Sequence, residues 1–320
     1  MHWIPKNPTP TQLRKLYEEG LPGWQYHEAT MDALMADGKS NLFADAAPHL
    51  AGIGKGQKSL LWRSREKYDP GAFGEEPQTV GSCVAHGARN NCDTTRSVEI
   101  DINNEPEIYY KRGAIEPTYK ARGHYGEGMD PAAATRFHVD YGFLFREKYP
   151  FGDLSKLNES LCYSRGWSAA QWELVKEACK AHNVGKWIAP STTDEAKDLM
   201  YAGYAGHSGQ NYGVQTSSDS RGISVTGRSW NHDMATVGYD DTKEVYPESV
   251  FLIANSWANW NSKPKVWPGD RYGPWPVGSF WVPEDIYARY FVGSRSIFFY
   301  CDIKGVPQKN LPDWGAPGWL

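Results

Sequence analysis

The stretch Gln78-Thr-Val-Gly-Ser-Cys83-Val-Ala-His-Gly-Ala-Arg-Asn90 places a cysteine at the start of a predicted long helix. Ser82 is the predicted N-cap residue, so Cys83 falls in the first turn. Backbone N–H groups of a first turn lack helical partners and the helix dipole is positive there, which together favour a thiolate. The alternative is a small, buried and unreactive cysteine. Cys83 is therefore a candidate nucleophile that needs partners elsewhere in the chain.

A candidate base lies in the block Trp230-Asn-His-Asp-Met-Ala-Thr-Val-Gly-Tyr-Asp240. There His232 comes directly before a predicted apolar strand, and the end of a strand holds an imidazole ring on rigid backbone. A surface histidine is the alternative, because the chain contains nine histidines. By itself the block makes His232 a weak candidate.

A third block, Val250-Phe-Leu-Ile-Ala-Asn-Ser-Trp257, is a predicted buried strand that ends at Asn255. An asparagine carbonyl can accept the N–H of an imidazole and fix its tautomer. A turn-forming asparagine is the alternative. Taken together, Cys83, His232 and Asn255 follow the chain order of a nucleophile, a base and an orienting residue.

The sequences around these three residues resemble the signature blocks of papain-like cysteine peptidases. The matching blocks are Gln78 to Cys83, Asn231-His232 with Val237-Gly-Tyr239, and Asn255-Ser-Trp257, followed by the glycine-led strand Gly278 to Val282. The resemblance covers residues 78–303. The Asn-Ser-Trp block is its most specific part, because transglutaminases and other peptidases of related fold usually place Asp or His third.

The resemblance implies a thiol hydrolase that cleaves peptide or isopeptide bonds and needs no cofactor. It implies that Cys83 is the nucleophile, that His232 is the base, and that Asn255 orients His232. Trp257 would shield the bond between His232 and Asn255 from water. Gln78 would donate its amide to the oxyanion, together with the backbone N–H of Cys83. The cysteine and histidine would rest as a thiolate–imidazolium pair.

The sequence departs from the family pattern near each block. Gln78 lies one position closer to the nucleophile than is usual. Val80 replaces a cysteine that normally enters a disulfide, and Val84 replaces an aromatic residue. Asp233 stands where a small apolar residue is usual, and it is expected either to raise the pKa of His232 or to face solvent. These differences predict a distant member, closer to bacterial and viral relatives.

Composition and charge exclude several other classes of function. The chain has 320 residues with 34 Lys and Arg against 38 Asp and Glu, a net charge of −4, which gives no electrostatic footprint for nucleic acid or an anionic membrane. Its 14 Trp, 19 Tyr and 11 Phe argue against disorder. The N-terminus has no apolar signal-peptide core. A cytoplasmic or virion-associated protein that binds neither nucleic acid nor membrane is expected.

The five cysteines are an odd number and cannot all pair within one chain. At this low density we expect free thiols rather than a disulfide framework. Cys83, His86 and Cys92 lie close in sequence, but no second ligand pair at zinc spacing follows, so no metal site is predicted. The glycine-rich segment Ala51 to Ser59 lacks the spacing of a phosphate loop.

The order of predicted elements favours an α+β fold, because helices dominate the first part and strands the second. Helices are predicted at 11–20, 30–36, from 83 onward, 130–142, 168–182 and 192–203. Strands are predicted at 234–239, 250–254, 279–282 and 295–303, whereas 211–228 is predicted as loops.

The predicted organisation is a papain-like catalytic domain with a segment on either side. It comprises an N-terminal extension (1–75), the catalytic domain (76–306, a helical lobe at 76–205 and a β-rich lobe at 206–306) and a C-terminal arm (307–320). The active site is expected in the cleft between the lobes. The resemblance places the stretch Tyr204 to Tyr212 at the pocket for the second residue upstream of the cleaved bond.

Two other functions stay open at this point. The fold could serve as a structural or assembly protein, for example in a virus particle, with little or no cleavage. In that case the N-terminal extension or the C-terminal arm would contact a protein partner. An acyltransferase with the same three residues and an amine acceptor is the second alternative. For the peptidase, the expected partner is a peptide or protein substrate.

Overall fold

A computed structural model describes residues 8–36, 41–103, 110–163 and 166–303 of the chain. The predicted C-terminal arm, 307–320, lies outside the described residues. So do residues 1–7 and 37–40 of the predicted N-terminal extension.

The described helices lie mainly in the first two thirds of the chain. They are α1 (Pro10–Glu18), α2 (Glu28–Met35), α3 (Phe43–Ala46), α4 (Trp62–Tyr68), α5 (Cys83–Asn103), α6 (Glu116–Lys120), α7 (Pro131–Asp140), α8 (Ala169–Cys179), α9 (Thr193–Tyr201), α10 (Gly269–Tyr272) and α11 (Glu284–Ile286).

The described strands of three or more residues lie in the last 140 or so residues, in line with the predicted order of elements. All the described strands, short ones included, are β1 (Lys58–Ser59), β2 (Gly113–Ala114), β3 (Leu144–Phe145), β4 (Lys148–Tyr149), β5 (Gly152–Asp153), β6 (Val184–Ile188), β7 (Gly206–Gln210), β8 (Val214–Ser218), β9 (Ser224–Thr226), β10 (His232–Asp240), β11 (Val250–Ala254), β12 (Ser279–Pro283) and β13 (Ile297–Ile303).

One antiparallel sheet forms the centre of the fold. Its strand order is β12-β11-β10-β7-β13-β6, and β1 also pairs with β10. Every residue of β10 and β11 is buried, so β11 is a continuous apolar run rather than an alternating pattern, whereas β10 also buries polar residues at both of its ends. The predicted α+β class is confirmed. The boundaries of the predicted extension and lobes stay predictions, although β6 joins the sheet from the part ahead of residue 206.

The long helix α5 packs across β10, β7 and β13. Gly87 allows this close approach, because a Cβ atom at that position would lie 1.9 Å from Oδ1 of Asp233. Val84 and Ala85 from the same helix share the main hydrophobic core with Met234. This packing sets the N-terminal end of α5 beside the first residues of β10.

The structure differs locally from the sequence-based expectations. Helix α1 begins at Pro10, with Thr9 as its N-cap, one residue ahead of the predicted start at residue 11. Residues 211–228, predicted as loops, contain the hairpin of β8 and β9. The sequence does not indicate this hairpin, because its strands lack the alternation of apolar and polar residues that is typical of a half-buried strand. The segment contacts the core through irregularly spaced residues: Tyr212, Val214, Ser218 and Ile223 are buried.

Candidate active site

Cys83 is the first residue of α5 and is completely buried. Its thiol accepts a hydrogen bond from the backbone N–H of Asp233 and is hydrogen-bonded to the hydroxyl of Tyr17. Asp233 directly follows His232 at the start of β10. The nucleophile and base predicted from sequence therefore lie at adjoining ends of a helix and a strand.

His232 and Asn255 form a hydrogen bond beneath an aromatic cover. Nε2 of His232 lies 2.8 Å from Oδ1 of Asn255, which also accepts the backbone N–H of Ser256 at 2.7 Å. The ring of Trp257 stacks on the imidazole, with centroids 4.6 Å apart and planes 25° apart. Nδ1 of His232 is buried and has no hydrogen-bond partner among the described residues. The ring is thus fixed through one nitrogen, and the other remains for a reacting group.

Gln78 is held against the Asn-Ser-Trp block. Its backbone N–H donates to the carbonyl of Ser256 at 3.0 Å, and its Oε1 accepts the hydroxyl of Ser256. With Oε1 engaged, the amide Nε2 donates to the hydroxyl of Tyr17 at 2.7 Å and to the carbonyl of Val80 at 2.9 Å. The donor predicted for an oxyanion therefore meets the phenol oxygen that also contacts the Cys83 thiol.

Two buried or half-buried carboxylates, absent from the sequence-based prediction, hold the loop between Gln78 and Cys83. Glu159 accepts the hydroxyl of Ser82 at 2.5 Å, the backbone N–H of Thr79 at 3.2 Å and the hydroxyl of Thr79. Glu127 accepts the backbone N–H of Gly81 at 2.6 Å. The Ser82 side chain thus bonds to a glutamate, and the loop is fixed by side chains distant in sequence.

The N-terminal part of the chain covers this group of residues. Tyr17, on α1, lies with its ring 4.8 Å from that of His232 and 5.4 Å from that of Trp257. Gly23 lies so close to the nucleophile that a Cβ atom at this position would be 3.0 Å from Sγ of Cys83. Leu13 and Tyr17 face inward from α1, a helical spacing that indicates packing but does not identify the surface beneath. Sequence reasoning therefore missed Tyr17 and Gly23.

The covered site holds a neutral pair rather than the thiolate–imidazolium pair that the resemblance implies. Burial raises the pKa of the Cys83 thiol to about 12, and the charge of Asp233 adds to this increase. Burial lowers the pKa of His232 to about 3, although its bond to Asn255 works in the opposite direction. Both shifts arise from loss of water, which disfavours charge on either group.

Asp233 neither faces solvent nor acts on His232, contrary to both expectations from sequence. Successive residues of a strand point to opposite faces, and Asp233 is buried against Nδ1 of His207 at 3.2 Å. Nε2 of His207 lies 3.3 Å from the hydroxyl of Tyr300, which in turn lies 2.9 Å from Nδ1 of His138. Asp233 belongs to a buried polar chain on the far side of β10.

Acid is expected to destabilise the native chain through His232. Its pKa is about 3 when folded and about 6.5 when unfolded. Below pH ~6.5 the unfolded state therefore binds a proton that the native state does not, so stability falls as the pH decreases. Between pH 7 and pH 5 this costs about 2 kcal/mol. Urea unfolding at the two pH values measures it, and the decrease should be smaller by that amount in His232→Gln. An equal decrease in both proteins would contradict the prediction.

Substitution of Gln78 by alanine is expected to lower kcat/KM about 100-fold in chains whose site is uncovered. The reason is that one donor to the oxyanion is lost. The measurement is steady-state cleavage of a fluorogenic peptide. The exposed Gln215 provides a matched control for Gln→Ala substitution. Equal loss in Gln78→Ala and Gln215→Ala would exclude a specific role for Gln78.

The remaining sequence-based candidates add no further chemistry to the site. All five cysteines are free thiols. Within the described ranges, no group of His, Cys, Asp and Glu side chains is arranged to hold a metal ion. Among the same residues, no helix is both long and apolar enough to cross a bilayer.

Comparisons with known proteins find similarity in structure only. No protein-family model and no curated protein matches the chain. Similar solved structures include xylellain, a cysteine protease from Xylella fastidiosa (17% identity, TM-score 0.46, 72% of this chain and 82% of that chain). They also include the Amb a 11 cysteine protease of ragweed pollen in its proform (13%, 0.49, 91% and 76%) and procathepsin L 3 of Tenebrio molitor larval midgut (13%, 0.46, 90% and 85%). The similarity is in fold.

Proposed function

We propose that this chain is a papain-like cysteine peptidase that uses Cys83 as nucleophile, His232 as base and Asn255 as orienting residue. The observation that supports this most directly is the 2.8 Å bond between Nε2 of His232 and Oδ1 of Asn255. It leaves Nδ1 of the imidazole as the nitrogen that can take the proton of a thiol. A buried polar atom without a partner calls for an explanation, and a role in proton transfer supplies one for Nδ1 of His232.

The chemistry follows from these positions and applies to a peptide or isopeptide bond. His232 removes the thiol proton, and Sγ of Cys83 attacks the carbonyl carbon, whose oxygen becomes an oxyanion held by Gln78. The C–N bond breaks and the amine leaves with the proton from His232. Water then attacks the thioester, His232 takes and returns a proton, and the acid and the free thiol are released.

The described conformation is the latent form of this peptidase. The hydroxyl of Tyr17 accepts the hydrogen bond from the Gln78 amide that the oxyanion would otherwise receive, and Gly23 lies against the nucleophile. The thiol and imidazole are both neutral while covered, so attack on a substrate requires residues 10–24 to leave. Departure restores water to the site and brings both pKa values toward their ordinary range.

Alkylation at pH ~6, below the ordinary pKa of a thiol, tests the assignment. Full-length protein is treated with an iodoacetamide probe, and the labelled cysteines are mapped in the wild type and in Tyr17→Ala. We expect Cys83 to react first among the five thiols when the cover is loosened, and this selectivity to disappear in Tyr17→Ala/His232→Ala. Slow and uniform labelling of all five thiols, unchanged by the loss of His232, would refute the assignment.

A further inference from the structure

Glu159 connects the two ends of the loop that leads to the nucleophile. Its Oε2 accepts the backbone N–H of Thr79 at 3.2 Å and the hydroxyl of the same residue, whereas its Oε1 accepts the hydroxyl of Ser82 at 2.5 Å. Thr79 directly follows Gln78 in the chain. Ser82 directly precedes Cys83. One carboxylate therefore holds the neighbours of both groups that would donate to the oxyanion.

This carboxylate is buried and charged without a basic partner. Glu159 is 8% exposed, and its only ion-pair contact among the described residues is with Nε2 of His86 at 3.9 Å. Burial lowers the pKa of His86 to about 4, so the imidazole is neutral near pH ~7. Burial alone would raise the pKa of the Glu159 carboxyl, but the contacts with His86, Ser82 and Thr79 lower it below its usual value. The loop itself thus supplies most of the hydrogen bonds that stabilise the charge.

The segment that carries Glu159 is anchored on both sides. The backbone N–H of Asn158 donates to Oε1 of Glu116, on α6, at 2.7 Å. The carbonyl of Cys162 accepts a hydrogen bond from Nη1 of Arg122 at 2.9 Å. Between these contacts the chain forms a 3-10 turn at Glu159–Cys162. The loop is therefore held by a fixed support that is about 80 residues away in sequence.

We infer that Glu159 is a positioning residue, which sets the spacing between the side-chain amide of Gln78 and the backbone N–H of Cys83. The inference rests on the proposed peptidase function and adds a residue to it. Glu159 contacts the residues beside the two donors and neither donor itself, so it acts through the loop. That loop is one residue shorter than the family pattern and has Val80 in place of a disulfide cysteine. A misplacement of about 1 Å in such a site can cost about 10²-fold in rate.

Three reactions of Cys83 test this role, because only two of them form an oxyanion. Hydrolysis of a fluorogenic peptide is the first. The second is reversible addition to a peptide aldehyde, in which the bond from Sγ to carbon forms, the carbonyl π bond breaks and the thiol proton ends on the oxygen. The third is alkylation by iodoacetamide, in which Sγ displaces iodide, the thiol proton passes to solvent, and no carbonyl oxygen gains charge. All three are measured in the full chain with Tyr17→Ala, which uncovers the site.

In this background, Glu159→Ala should lower kcat and kcat/KM equally, by about 10–100-fold. The dissociation constant of the aldehyde should rise by a similar factor, while the rate of alkylation by iodoacetamide stays unchanged. Glu159→Gln keeps one oxygen as an acceptor, so its losses should be smaller, and it decides the test if the alanine variant does not fold. Glu177→Ala, at an exposed position of α8, is the matched control and should leave all three reactions unchanged.

The outcomes separate this inference from the proposed function. If the Glu159 variants keep the kcat and the aldehyde affinity of the parent, Glu159 does not position the donors and the peptidase assignment stands. The inference is also wrong if alkylation by iodoacetamide slows together with kcat, because a general loosening of the fold would affect every reaction of Cys83. If the Tyr17→Ala parent neither cleaves the peptide nor binds the aldehyde at Cys83, the proposed function fails and the inference fails with it.

Discussion

Replacement of Tyr17 by alanine should increase the rate at which Cys83 is alkylated in the full chain by about 10²–10⁴-fold. Tyr17 is 2% exposed, packs against two rings and bonds to Gln78. Truncation of a buried aromatic side chain typically costs 3–5 kcal/mol. This free energy favours the closed position of the segment at residues 10–24, and each 1.4 kcal/mol that is lost increases the population of the open form about tenfold. The measurement is the labelling rate of Cys83 at fixed pH, read by mass spectrometry.

Two controls distinguish the contributions of Tyr17. Tyr17→Phe keeps the ring and removes the bonds of the hydroxyl to Gln78 and to the Cys83 thiol, so a smaller increase is expected, on the order of tenfold for two hydrogen bonds with a net contribution of about 0.5–1 kcal/mol each. Lys15→Ala changes an exposed residue of α1 and should leave the rate unchanged. If Tyr17→Ala folds normally and Cys83 still reacts as slowly as in the wild type, α1 does not gate the site.

In the opened Tyr17→Ala protein, His232→Ala should lower kcat/KM for peptide hydrolysis by about 10³–10⁴-fold. The variant loses the group that removes the thiol proton and later protonates the amine, and such catalysis contributes up to about 10⁴. Cleavage of a fluorogenic peptide measures the effect. His49→Ala, at an exposed position, is the matched control. Turnover within tenfold of the Tyr17→Ala parent would show that another group acts as the base.

The local structure of several elements was predictable because the signals lie close together in the chain. Asp130 caps α7 through the N–H of Ala132, and Ser168 and Gln171 form the predicted capping box of α8. The strand Val250–Ala254 has the predicted bounds. Each cap is a contact between residues that are close in the chain, and the strand is a continuous run of apolar residues. A single sequence is therefore sufficient to predict these elements.

The candidate site was predictable only in part, for a physical reason. Cys83, His232 and Asn255 stand in short sequence blocks that resemble those of a known family, whereas Tyr17 and Gly23 stand in no such block. Their partners lie far away in sequence, and the spacing of apolar residues in α1 indicates a buried face without identifying its target. The protonation state was missed for the same reason, since it depends on the water that the segment excludes.

In the proposed peptidase, a single proton donor would serve two opposed purposes. The Gln78 amide N–H that bonds to Tyr17 is the one that would stabilise the oxyanion. A change at position 78 that weakens self-inhibition must therefore also weaken the chemistry, so the chain cannot be made constitutively active by that route. Sequence variation that adjusts the strength of latency is instead expected in residues 10–24, where it carries no catalytic penalty.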